Sequence, residues 1–134
     1  MISNQLRYIF GAISSLPILP LLYFQGIKIR KKIPKLPEAK HPQGFVNNNF
    51  KNSIHIITIG ESTIAGVGVE KHKTAFTGAL ANQVSILFKK NVYWNVFAKS
   101  GYTAKEVTKK ILPNIQLEHV DLIVVGLGGN DAFS

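Results

Sequence analysis

The chain has 134 residues, enough for one ordinary domain, and its 46% hydrophobic and 17% charged content excludes a disordered chain, because such a composition can offset the entropy of ordering. It contains no cysteine, which excludes disulfides, thiolate metal sites and a cysteine nucleophile. The net charge of +9 suggests a nucleic-acid partner only until its distribution is read. Lys28, Arg30, Lys31, Lys32, Lys35 and Lys40 crowd one short stretch after an apolar run, with no aromatic residues interleaved as a base-stacking platform needs; no nucleic-acid partner is expected.

Residues 8–27 carry no charge, and about 20 residues at 1.5 Å rise span the hydrocarbon core of a bilayer. Residues 1–27 are therefore expected to form a membrane anchor or signal-like segment, kinked at Pro17 and Pro20. The run ends Tyr23-Phe24-Gln25-Gly26 and continues into lysines, without the small-x-small cleavage site of a signal peptide. By the positive-inside rule the basic cluster lies on the cytoplasmic side of an inner or plasma membrane, since only Arg7 and the terminal amine precede the run. Residues 28–52 hold Pro34, Pro37, Pro42, Gly44 and an asparagine run, and read as a basic, proline-rich linker to a domain over 53–134.

At residue 54 the pattern changes. Residues 54–59 are β-branched and almost continuously apolar, as in a strand buried on both faces of a parallel sheet, and Gly60 ends them. A helix is expected over 74–90, where Phe76, Leu80, Val84, Leu87 and Phe88 recur at helical spacing. A second strand over 92–98 leads to Lys99-Ser100-Gly101, and Thr103 with Glu106 has the capping-box spacing that opens a helix ending at Pro113. A third strand over 122–125 ends in Gly126-Leu127-Gly128-Gly129-Asn130-Asp131. Alternating strands and helices predict a parallel sheet built by crossovers.

Ligands of open α/β sheets collect outside the carboxyl ends of the strands, where successive crossovers take opposite faces. Three polar turns occupy such ends: Gly60-Glu61-Ser62, Gly101, and Gly129-Asn130-Asp131. In a flavodoxin-like 2-1-3 order the first and third strands are neighbours, so Ser62 and Asn130 would face one another. Read singly, Gly-x-Ser is a turn, Gly101 marks a position of positive φ, and Asn130-Asp131 is a helix cap.

Together, in this order, the three turns resemble blocks I to III of the SGNH hydrolases, also called GDSL esterases and lipases, over residues 53–134. The resemblance implies a three-layer α/β/α flavodoxin-like sandwich, here reduced to about three parallel strands behind an N-terminal membrane helix. It implies a serine ester hydrolase acting through an acyl-enzyme, without metal or cofactor. Ser62 would be the nucleophile, and the Ser62 and Gly101 backbone N–H groups with the Asn130 side-chain amide would form the oxyanion hole.

Two departures stand out. Block I usually reads Asp-Ser-Leu, whereas this chain has Glu61-Ser62-Thr63, and the Asp-x-x-His of block V does not occur. The chain as given is therefore expected to be inactive, with an exposed edge on its third strand. His55 and His119 are expected at the opposite strand ends from Ser62 and His41 in the linker; His72 is expected on the same side as Ser62, in the loop before the first helix, but in a solvated turn between Lys71 and Lys73 rather than as a base. An alternative reading is a non-catalytic, membrane-tethered module that holds a small polar or anionic ligand in the same crevice.

Overall fold

A computed structural model of the chain describes residues 4–116 and 119–133, with the side chains of Arg30 and Phe133 left out. The outer limits expected at residues 1 and 134 fall outside these. The chain divides into two compact units, Met1–Lys35 and Leu36–Ser134.

The first unit holds helix α1 (Asn4–Ser15), a 3-10 turn over Leu16–Ile18 and helix α2 (Leu19–Lys32). Pro17 lies within the turn and Pro20 in the first turn of α2, as expected from residues that remove backbone donors. Taken across the turn, Asn4–Ile29 is a helical span of 26 residues containing an 18-residue stretch of mean hydropathy 1.4, none of it buried, and is long and apolar enough to cross a membrane.

The second unit is an α/β domain with a mixed four-stranded sheet. Its elements are β1 (Gln43–Val46), β2 (Ser53–Gly60), α3 (Phe76–Phe88), β3 (Asn91–Ala98), α4 (Ala104–Lys110) and β4 (Leu122–Gly126). The order is β1-β3-β2-β4, with β2 parallel to both neighbours and β1 antiparallel to β3. The three expected strands thus pair in the expected 2-1-3 order, but the sheet is not wholly parallel. β1 lies in the segment read as a linker, and the compact unit begins at Leu36 rather than Ser53. Pro42 is compatible with this edge because it only accepts there: the Val96 N–H donates to its carbonyl at 2.7 Å.

β2 alternates its side chains between two cores. Ile56 packs with Ala81 and Val84 of α3 and with Val92, Trp94 and Val96 of β3. Ile57 and Ile59 pack with Val107 of α4, joined by Phe97, Tyr102, Ile111 and Leu127. One helix therefore covers each face of β2, and each fully buried aliphatic side chain contributes about 1.5 to 3 kcal/mol. Gly44 lets β1 lie against the Trp94 ring, since a Cβ there would collide with the indole. β4 leaves Ile123 and Val125 exposed.

The α4 N-terminus carries the capping box read from Thr103 and Glu106: the Thr103 hydroxyl accepts from Glu106 N–H at 3.4 Å, and Glu106 Oε2 accepts from Thr103 N–H at 3.1 Å. Between β2 and α3, the hydroxyls of Thr58 and Thr77 share a hydrogen bond of 2.7 Å, both side chains being fully buried. Thr58→Val should cost about 1 to 3 kcal/mol, because it strands the Thr77 hydroxyl, while the double variant Thr58→Val/Thr77→Val should recover most of that loss. Urea denaturation of the domain measures both.

Candidate functional site

The sheet register fixes the level of the site. Gly60 pairs with Ala98 on one side and with Gly126 on the other, so three parallel strands end in line. α3 connects β2 to β3 across one face, and α4 carries the chain back across the other face to β4. The crossovers diverge at β2, and between the ends of β2 and β4 is where open α/β sheets collect ligands. Ile64 packs beneath these ends: a Cβ on Gly60 would fall 2.5 Å from the Ile64 side chain, and one on Gly126 2.8 Å from it.

Ser62 is half-buried in the turn that leaves β2, its carbonyl accepting from Val67 N–H at 3.1 Å. Neither its hydroxyl nor its N–H has an intrachain partner among the described residues. Gly101, three residues beyond β3, has φ 84°, a left-handed conformation that glycine adopts without strain. Its N–H also lacks an acceptor among the described residues. The Asn130 side-chain amide donates to the Tyr102 carbonyl at 3.0 Å, using one of its two N–H donors. The structure therefore brings the three expected residues to one rim: the loop after β4 is bonded to the loop after β3, and both stand beside the turn after β2.

The residue that joins these turns is Glu61. Its Oε1 accepts from Gly129 N–H at 2.7 Å and its Oε2 from Asn130 N–H at 3.0 Å, and the residue is buried. Gly129 is required by the approach, since a Cβ there would lie 2.8 Å from Oε1. Sequence reasoning noticed Glu61 only as a departure from aspartate. The signal for its role was the doubled glycine before Asn130, which leaves room for a carboxylate to reach two consecutive amides. Asp131 acts as a cap: its carboxylate accepts from the Ala104 N–H at the start of α4, 2.9 Å from Oδ2.

His55 bonds Asn95 at 2.6 Å near the start of β2, and His119 bonds Asp121 at 3.0 Å just before β4, both at the rim away from Ser62, as expected. His72 departs from the expectation of a solvated turn. Lys71 and Lys73 are exposed on either side of it, while the imidazole is only 3% exposed and its Nδ1 has no partner among the described residues. His72 lines a cleft of about 450 Å³ together with Glu38, Ala65, Ala98, Lys99 and Tyr102. Burial holds its pKa below the ordinary histidine value, against a smaller opposing pull from the Glu38 carboxylate.

Two measurements probe this construction. Glu61→Gln replaces one of two acceptors with an amide NH2 group that cannot accept from a backbone N–H, and should cost about 1 to 3 kcal/mol in denaturant unfolding. His72 binds its proton more weakly folded than unfolded, so its contribution to stability is complete above about pH 6.5 and is lost as the pH falls toward the folded pKa. Unfolding midpoints between pH 7.5 and 5.5 should therefore fall more steeply in the wild type than in His72→Asn. Comparison with protein-family models, with curated protein sequences and with solved structures finds no match for this chain.

Proposed function

We propose that residues 36–134 form the nucleophile and oxyanion part of a serine ester hydrolase of the SGNH type, on a flavodoxin-like α/β/α scaffold anchored by the apolar helix. The observation that carries this reading is the convergence on a single rim of a serine hydroxyl and two backbone N–H groups without partners among the described residues, together with one side-chain amide. A hydroxyl beside several fixed donors suits attack on a carbonyl whose oxygen gains negative charge. Ser62 Oγ would add to the ester carbonyl, its proton passing to a base and the alcohol departing to leave an acyl-serine. Ser62 N–H, Gly101 N–H and the free N–H of Asn130 would hold the oxyanion.

The base is not among the described histidines. His55 and His119 lie at the far rim, His41 stands just before β1, and His72 lines the neighbouring cleft with its imidazole buried. The substrate class is a carboxylic ester, and the apolar helix favours one that partitions to a membrane surface. The basic residues after the helix favour a cytoplasmic domain.

Imidazole can supply the missing base, which makes the reading testable on the chain as it stands. A fluorophosphonate probe with added imidazole should phosphonylate Ser62, located by peptide mass spectrometry. Ser62→Ala should abolish the adduct, and Asn130→Ala should slow its formation roughly 100-fold. Labelling that survives Ser62→Ala, or that proceeds no faster than in the denatured chain, removes the esterase reading.

A further inference from the structure

Residues 37–40 run alongside the loop that follows Ser62. Gly68 N–H donates to Pro37 O, Ala39 N–H to Ala65 O, Lys40 N–H to Glu70 O and His72 N–H to Lys40 O, each at 3.0 Å. This strap is therefore registered on the nucleophile loop by main-chain bonds on both sides of Glu38. The Glu38 side chain crosses from there to a third loop. Its Oε1 accepts from Ser100 N–H at 2.8 Å, and its Oε2 accepts from Lys99 Nζ at 3.0 Å.

Ser100 immediately precedes Gly101, the residue whose N–H the proposed chemistry uses. Apart from its chain neighbours, no described atom lies within 4 Å of where a Cβ on Gly101 would stand, so no packing on that side helps to hold its peptide planes. Their orientation must come from bonds on the flanking residues. Downstream, Tyr102 is held through its carbonyl by Asn130 and through its N–H by Lys99 O at 3.3 Å. Upstream, the Ser100 N–H is held by Glu38. Burial pushes the Glu38 carboxyl up, but the Ser100 N–H and the Lys99 ammonium more than offset this and leave it below its ordinary value, as for an anion that is firmly bonded.

We propose that Glu38 is a positioning residue for the oxyanion loop: it pins the Lys99–Ser100 peptide, adjacent to the one that carries the Gly101 N–H, so that this N–H faces the rim that carries Ser62. The proposal rests on the esterase reading above and extends it to a segment that contributes no atom to the reacting centre. It makes the geometry of the oxyanion hole depend on the strap that links the apolar helix to the sheet. The Glu38 carboxylate lines an open cleft, where water can take over the Ser100 N–H if the side chain is removed. Truncation therefore loosens the loop without burying an unpaired donor.

The test uses the full chain, isotopically labelled in detergent micelles, as wild type, Glu38→Ala and Glu38→Gln. Amide hydrogen exchange is read at Ser100 and Gly101, with Gly129 and Asn130 as controls held by Glu61. Fluorophosphonate labelling of Ser62 with imidazole is read in parallel. In Glu38→Ala, exchange at Ser100 should accelerate about tenfold or more with Gly129 unchanged, and labelling should slow about tenfold. Glu38→Gln keeps an acceptor for Ser100 N–H and should restore most of both. Unchanged exchange at Ser100 in Glu38→Ala overturns the proposal whatever the labelling does, and so does faster exchange with undiminished labelling. Failure of the wild-type chain to label at Ser62 strikes instead at the esterase reading, and the exchange measurement still decides whether Glu38 holds the loop.

Discussion

Three parallel strands that stop at one level leave their exit loops free to diverge, and in this domain the carboxylate of Glu61 turns two of them together. A carboxylate can accept from two consecutive peptide N–H groups at once, which a neutral side chain of the same shape cannot do. The bonds to Gly129 and Asn130 therefore fix both the position and the orientation of the loop after β4. Because Glu61 is covalently next to Ser62, the same contact sets the distance between the serine turn and Asn130. Asn130 then reaches the loop after β3 through Tyr102, so one buried anion organises all three exits.

Glu38 repeats this logic on the other side of β2. Glu61 takes up the Gly129 and Asn130 N–H groups and Glu38 the Ser100 N–H, and both leave the N–H groups of Ser62 and Gly101 unclaimed among the described residues. Unclaimed backbone donors are costly when buried, which is why such an arrangement belongs at an open rim where water covers them. The two acids differ in surroundings. Glu61 is buried and bonded only to peptide groups, whereas Glu38 is partly exposed and shares its charge with Lys99. The first is the more rigid constraint and the second the more easily released.

Much of this was legible in the residues because it depends on local pattern. The β-branched run at 54–59, the alternating strand and helix signals and the capping box at Thr103 each follow from short-range chemistry, and the structure has the corresponding elements. β1 was not legible. Its four residues sit among prolines and asparagines, and their pairing with β3 is decided by the Trp94 surface rather than by their own propensity. The burial of His72 was hidden by its lysine neighbours, which stay exposed while the imidazole turns inward. The Glu61 and Glu38 bonds span 68 and 62 residues, and no periodicity reports a contact of that range.

β4 shows how composition and position can disagree. Its sequence is the continuous apolar run of a strand covered on both faces, yet it is the outermost strand of the described sheet, with Ile123 and Val125 largely uncovered. Edge strands are usually blunted by charge, proline or a bulge, and β4 has none of these between Leu122 and Gly126. It is in register with Ile57 and Ile59, whose side chains form the core beneath α4, so the same core face continues outward onto β4, where Ile123 and Val125 stay exposed among the described residues. A strand added in parallel at this edge would leave the sheet at the level of Gly126. Its exit loop would then arrive at the rim that already carries Ser62 and Asn130, so the direction of the sheet determines where any further group could join the site.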